Sequence, residues 1–213
     1  MKKNSIVIID KLRKNQQFIV DDERQKTFFI LLDCGKDESG DVNINIKSES
    51  ANVQILGIVL GYGKQKIEMS TLQKHLKPKG VSDLFIKSVL FDESKFYYRG
   101  LIKIEKDAQK SNAYQKNQTL LMSRRSWADT RPYLEILAND VRCTHGATVG
   151  KLDENQLYYL STRGIERGMA TKLLISGFLQ DVVDRIPQED VRKRVEGKIE
   201  QKVNQLLNKS VKD

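Results

Sequence analysis

One feature limits the folds open to this chain: from Asp41 onward it repeats short runs in which apolar and polar residues alternate. VNINIKS sets Val42, Ile44 and Ile46 against Asn43, Asn45 and Lys47. On a pleated strand such alternation puts every apolar side chain on one face. A second run spans residues 52–60, with Val53, Ile55 and Val59. A third, 65–71, carries Ile67 and Met69, and runs 84–91 and 96–105 continue the series, the latter through Ile102 and Ile104. The breaks hold Gly, Asn and Asp, as in Gly61-Tyr62-Gly63. Earlier short strands are expected at 5–9, 18–20 and 27–32, with Cys34 a small apolar filler at the corner after the third. The chain has three prolines, and no helical period precedes Leu152. Strands recurring about every ten residues with turn residues between them fit a β-sandwich or a β-solenoid. Asn43, Asn45, Asn52, Asn112 and Asn117, read as stacking at repeated corners, favour the solenoid.

At Leu152 the pattern changes. Asp153 and Gln156 read as a helix start, Leu157, Tyr158 and Leu160 as the apolar side of that helix, and Gly164 as its end. A second helix is expected over 166–185, with Met169, Leu173, Leu174, Phe178, Val182 and Ile186 at helical spacing. Pro187 breaks it. A third follows with Val191, Val195, Ile199, Val203 and Leu207. The expected organisation is a β region over 1–151 and a helical region over 152–213.

The 213 residues are 39% hydrophobic and 31% charged, values of a soluble, rather polar chain. No apolar run approaches the roughly 20 residues that span a bilayer. The apolar segment near the N-terminus, residues 6–9, is too short for a signal-peptide core. Two distant cysteines give no disulfide framework, so a cytoplasmic location is expected. The net charge of +9 raises nucleic-acid binding. However, the lysines are scattered among acids, and no basic–aromatic motif interleaves them. A β-helix acting on polysaccharide is a second alternative, with Asp92, Glu93 or Asp140 as carboxylates. His75, in TLQKHLKPKG, reads as a polar loop histidine.

The stretch with most chemical content is LEILANDVRCTHGATVG, residues 134–150. Cys143 and His145 stand two apart, on one face if the segment is a strand. Asn139-Asp140, Gly146 and Gly150 read as corners. A lone C-x-H is not a zinc signature, which needs four ligands in paired spacing. Read from the residues alone, it is a buried structural cysteine beside a solvated or hydrogen-bonded histidine.

The segment DVRCTHGATVGKLDENQLYYLSTRGI resembles the SufB/SufD family, the scaffold subunits of the SUF iron–sulfur cluster assembly machinery. The resemblance extends over residues 82–186. Upstream, SDLFIKSVLFDESKFYYRGLIKIEKDAQKSNAYQKNQTLLMS is similar to the family's core, and downstream ATKLLISGFLQDVVDRI is similar to its first long C-terminal helix. It implies a right-handed parallel β-helix followed by a C-terminal α-helical segment. It also implies a transient iron–sulfur cluster assembled at a subunit interface, with Cys143 and His145 as candidate ligands to iron. The partners implied are a SufC-like ABC ATPase and a SufB-like subunit, or a second copy of this chain as a self-sufficient homodimeric scaffold. ATPase docking falls to residues 166–186, including Met169, Leu173, Leu174, Phe178, Val182 and Ile186, and secondarily to 191–207. Gly146 stands where SufB-like chains carry glutamate, and no cysteine stands near Asn117. Both departures point to the SufD-like branch, in a short form lacking the usual N-terminal region. The reading is non-catalytic, with no nucleotide bound by this chain, no nucleic acid and no membrane.

Overall fold

The computed structural model describes residues 5–33 and 35–210; Cys34 lies outside them. Eleven strands precede three helices: β1 (Ser5–Ile9), β2 (Gln17–Val20), β3 (Lys26–Leu32), β4 (Glu38–Ile46), β5 (Asn52–Gly61), β6 (Lys66–His75), β7 (Val81–Leu90), β8 (Lys95–Ile104), β9 (Asn112–Leu121), β10 (Trp127–Ile136), β11 (Arg142–Lys151), α1 (Glu154–Thr162), α2 (Arg167–Val183) and α3 (Glu189–Ser210). All strand pairs are parallel. Odd-numbered strands form one sheet, β1-β3-β5-β7-β9-β11, and even-numbered strands the other, β10-β8-β6-β4-β2. Successive strands alternate between the sheets, so the chain winds as a β-solenoid of about 5 turns.

The two sheets explain two kinds of strand sequence. The even sheet has one face on the core and one in water, so β4, β6 and β8 alternate buried and accessible residues. In the odd sheet, β5 and β7 end in continuously buried runs because both faces are covered; the run is apolar in β5, while β7 interrupts it with the buried Lys87 and Ser88. Their inward residues, such as Val53, Ile55, Leu84 and Ile86, join the solenoid core. Their outward residues, Leu56, Ile58, Leu60, Phe85 and Val89, meet Ile175, Leu179 and Val182 of α2 and Val195, Ile199 and Val203 of α3 in a second core. Full burial of one such side chain is worth about 1.5–3 kcal/mol, and this second core fixes the helices against the odd sheet.

Several local expectations are corrected. Asn43 and Asn45 lie within β4 and Asn117 within β9. Asn52 and Asn112 are separated in the sheet by Val81, so no asparagine stack forms. Gly146 and Gly150 are inside β11, not at corners. His75 is the last residue of β6 and is fully buried, because the inward alternation from Ile67 runs on to it. Asp153 does cap α1, accepting from the Asn155 backbone N–H at 2.9 Å. Tyr158, read as apolar side, is largely exposed. Gly164 ends the turn after α1 in the left-handed region, with φ of 79°, a conformation that favours glycine.

Candidate functional site

β10 and β11 are the last strands of the two sheets, and among the described residues no further strand pairs with their outer edges. Register fixes which side chains face inward there. On β11, Cys143 lies over Ala113 and His145 over Gln115; Ala113 and Gln115 are both buried inward residues. Cys143, His145, Ala147 and Val149 are therefore the inward row of the last coil. Cys143 and His145 share one face, as their spacing requires. Their surroundings differ. Cys143 is half-buried and packs on the cluster of Ile102, Ile104, Ala108, Ala113 and Ala138. Burial pushes its thiol pKa up, against the pull of a backbone hydrogen bond with Ala113. His145 is exposed.

Backbone hydrogen bonding adds a second property. Arg142 N–H donates to Ser111 O at 3.0 Å. Along a parallel strand the bonding side alternates residue by residue. The N–H and C=O of Cys143, His145, Ala147 and Val149 therefore point to the open edge. On β10, Trp127 N–H donates to Ser94 O at 3.1 Å, so Pro132 also faces the open edge, where its missing N–H removes no ladder bond. The last coil presents two ten-residue edges and a partly apolar end with Leu134 and Val149 exposed.

Beneath this end the lumen is polar. The inward row Phe28, Ile55, Leu84 changes to Gln115 and then His145. Gln115 Nε2 donates to Gly100 O at 3.2 Å across the lumen, and its Oε1 accepts from Gln73 Nε2 at 3.5 Å. Sequence reasoning missed these residues, because a polar inward row carries no period-two apolar signal.

Among the described residues, no group of three or more His, Cys, Asp and Glu is placed to hold a metal ion. Cys143 offers a soft thiolate ligand and His145 an imidazole nitrogen, while ordinary iron–sulfur clusters take four ligands. Cys143 and His145 supply two of those four.

The helical residues singled out from sequence fall into two sets. Val182 and Ile186 are buried against the chain's own odd sheet, and Phe178 packs beside them. Met169 and Leu173 are exposed by 52% and 48%, and Leu174 lines a hollow with Tyr159 and Leu160. The α3 stripe Val191, Val195, Ile199 and Val203 is buried, with Leu207 partly so; it is core rather than free surface. No helix among the described residues is long and apolar enough to cross a membrane.

A parallel two-sheet solenoid followed by three helices places the chain in the class of β-solenoid proteins. Comparison with known proteins gives its family. The model of the SUF system FeS cluster assembly SufBD core domain matches residues 27–178, and the chain belongs to the SufB/SufD family. It is 30% identical over 158 residues to the iron–sulfur cluster assembly protein SufD of Escherichia coli, covering 74% of this chain and 37% of that one. It is 37% identical over 146 residues to SufD of Bacillus subtilis, covering 68% and 33%. It is 33% identical over 144 residues to SufB of Bacillus subtilis, covering 68% and 31%. The chain thus spans about a third of the length of these relatives.

Proposed function

We propose that this chain is a non-catalytic, SufD-like scaffold subunit of iron–sulfur cluster assembly in the cytoplasm. Cys143 and His145 are offered to the cluster across a subunit interface, and the partner is a SufB-like chain or a second copy of itself. The observation that carries the reading is the coincidence at β11: the residues whose backbone groups face the open edge are the row that holds Cys143 and His145. An uncovered ten-residue edge is a template for pairing with another strand. Adding a partner's strand continues the sheet and brings a second set of ligands beside the first. A twofold copy supplies two cysteines and two histidines, and its interface is self-complementary.

The SufD-like assignment rests on Gly146 following the histidine and on the absence of a cysteine near Asn117. Docking of a SufC-like ABC ATPase is assigned to the helices, through the exposed Met169 and Leu173 and the neighbouring Leu174. Val182, Ile186 and Phe178 support that surface from beneath.

Ala147→Pro tests the edge. The Ala147 N–H faces the open side, so proline there leaves the bonds to β9 in place while removing a donor from the interface. Light scattering and partner titration are expected to show association weakened at least about tenfold, equivalent to about 1.4 kcal/mol, with an unchanged circular dichroism spectrum. Undiminished association with both a SufB-like chain and itself would contradict the edge-pairing interface.

A further inference from the structure

Away from the terminal coil, the outward face of the even sheet carries a groove of about 390 Å³, within the range of small-molecule sites. Its floor is two rows of side chains in register. Asp41, Ser70, Arg99 and Arg131 make one row across β4, β6, β8 and β10. Ser39, Glu68, Tyr97 and Asp129 make the next. The loop between β1 and β2 supplies Lys14 and Asn15 as a wall. Asn15 is held in the left-handed region, φ 56°, where its N–H donates to Asp41 Oδ2 at 2.8 Å.

Formal charges in the groove balance, but the hydrogen-bonding groups do not. Asp41 accepts from Asn15 on one oxygen and from the Ser70 hydroxyl on the other. Asp129 takes Arg131 on both oxygens, at 3.0 and 2.7 Å. Glu68 is held by Lys66 at 2.6 Å. Each carboxylate is thus engaged within the chain. Lys14 and Arg99 make no ion pair or hydrogen bond among the described residues, and Arg99 acts on Asp129 only as a nearby charge. Arg99 stands directly opposite Arg131 on the neighbouring strand, and since Asp129 already engages Arg131, Arg99 is the guanidinium left to meet a ligand. A guanidinium suits the paired oxygens of phosphate or carboxylate. Tyr97, fixed by Trp127 at 4.9 Å between ring centroids and by the Lys66 ammonium at 5.2 Å, gives a firm wall for an attached organic body.

We propose that this groove binds a small oxyanion-bearing molecule, a phosphate or carboxylate held by Arg99 and Lys14 beside Tyr97. The site is independent of the cluster-scaffold reading. Strand pairing at the β10 edge leaves this face open, because it uses backbone groups and not the outward side chains.

Calorimetric titration of the full chain tests it, with inorganic phosphate as one probe, citrate as the other, and chloride at matched ionic strength as control. Saturable binding of one ligand per chain is expected for at least one probe, and the preferred probe identifies the oxyanion class. Arg99→Gln is expected to weaken it at least tenfold. Arg99→Lys, which keeps the charge but loses the fork, should fall between. Lys95→Gln, on the same face outside the groove, should bind as the parent does. No saturable heat above the chloride control with either probe would overturn the proposal, as would equal binding by Arg99→Gln.

Discussion

The Nζ of Lys87 lies 3.0 Å from Asp181 Oδ2, with its own side chain only 7% exposed. Lys87 also donates to Phe178 O at 2.7 Å and sits over the Phe178 ring. It projects outward from β7 under α2, so one buried ammonium ties the helix to the odd sheet. Burial lowers the Lys87 pKa, opposed by Asp181. For Asp181, burial alone acts upward, but the hydrogen bond and charge of Lys87 bring it below the usual carboxylate range.

Removing one partner of this pair strands the other. Asp181→Asn leaves the ammonium with the Phe178 carbonyl alone and is expected to cost about 1–3 kcal/mol. Adding Lys87→Met to that variant should restore much of the loss, since an apolar side chain of similar volume suits the second core. Denaturant titration of both single variants and the double variant checks the coupling. Purely additive losses would show that the pair does not act as a unit.

His75 gives the protein an acid-sensitive point. Its Nε2 is 2.8 Å from Ser82 Oγ, and among the described residues Nδ1 has no hydrogen-bond partner. Burial lowers its pKa from 6.5 to about 4. The unfolded chain therefore binds a proton that the folded chain refuses between those values, and stability falls as pH drops from about 6.5 toward about 4. The full effect is about 3 kcal/mol. His75→Gln should lose this component, so the stability gap between parent and variant is expected to shift across that window and stay flat above it. Parallel stability-versus-pH curves would contradict the assignment.

Gly100 and Gln115 are matched across the lumen. A Cβ on residue 100 would overlap the Gln115 amide, which already donates to the Gly100 carbonyl. Gly100→Ala should cost about 1–3 kcal/mol by overpacking. Gln115→Ala in the same chain should recover part of it by clearing the space. Thermal unfolding of Gly100→Ala, Gln115→Ala and the double variant reads this directly.

How much of this was legible in the sequence depended on what each strand faces. β4, β6 and β8 were readable because one face meets water and the other an apolar lumen. β9 was not read as a strand from its own pattern: its inward residues Ala113, Gln115, Asn117 and Thr119 are small or polar, which erases the alternation. β10 was caught only at its end, because Ala128, Thr130 and Pro132 precede Leu134 and Ile136 on the inward side. The spacing of Cys143 and His145 was enough to place them on one face. Their unequal exposure was not readable, because it arises where the solenoid stops. The α2 stripe was visible as a stripe, but which residues meet the odd sheet and which remain open depends on the docking angle of the helix.

Anaerobic reconstitution tests the central claim most directly. The chain is incubated with iron and a cysteine desulfurase, with and without a SufB-like partner, and bound iron and sulfide are counted. Little stable cluster is expected on the chain alone, because no cysteine stands near Asn117 to accept sulfur. Substantial cluster is expected with the partner, and a sharp loss with Cys143→Ala or His145→Ala, each folded as the parent by circular dichroism. Parental cluster yield from both variants in the presence of the partner would contradict the claim that this pair is the chain's contribution to the interface. A stoichiometric cluster on the isolated chain would replace the subunit reading with that of a self-sufficient homodimeric scaffold.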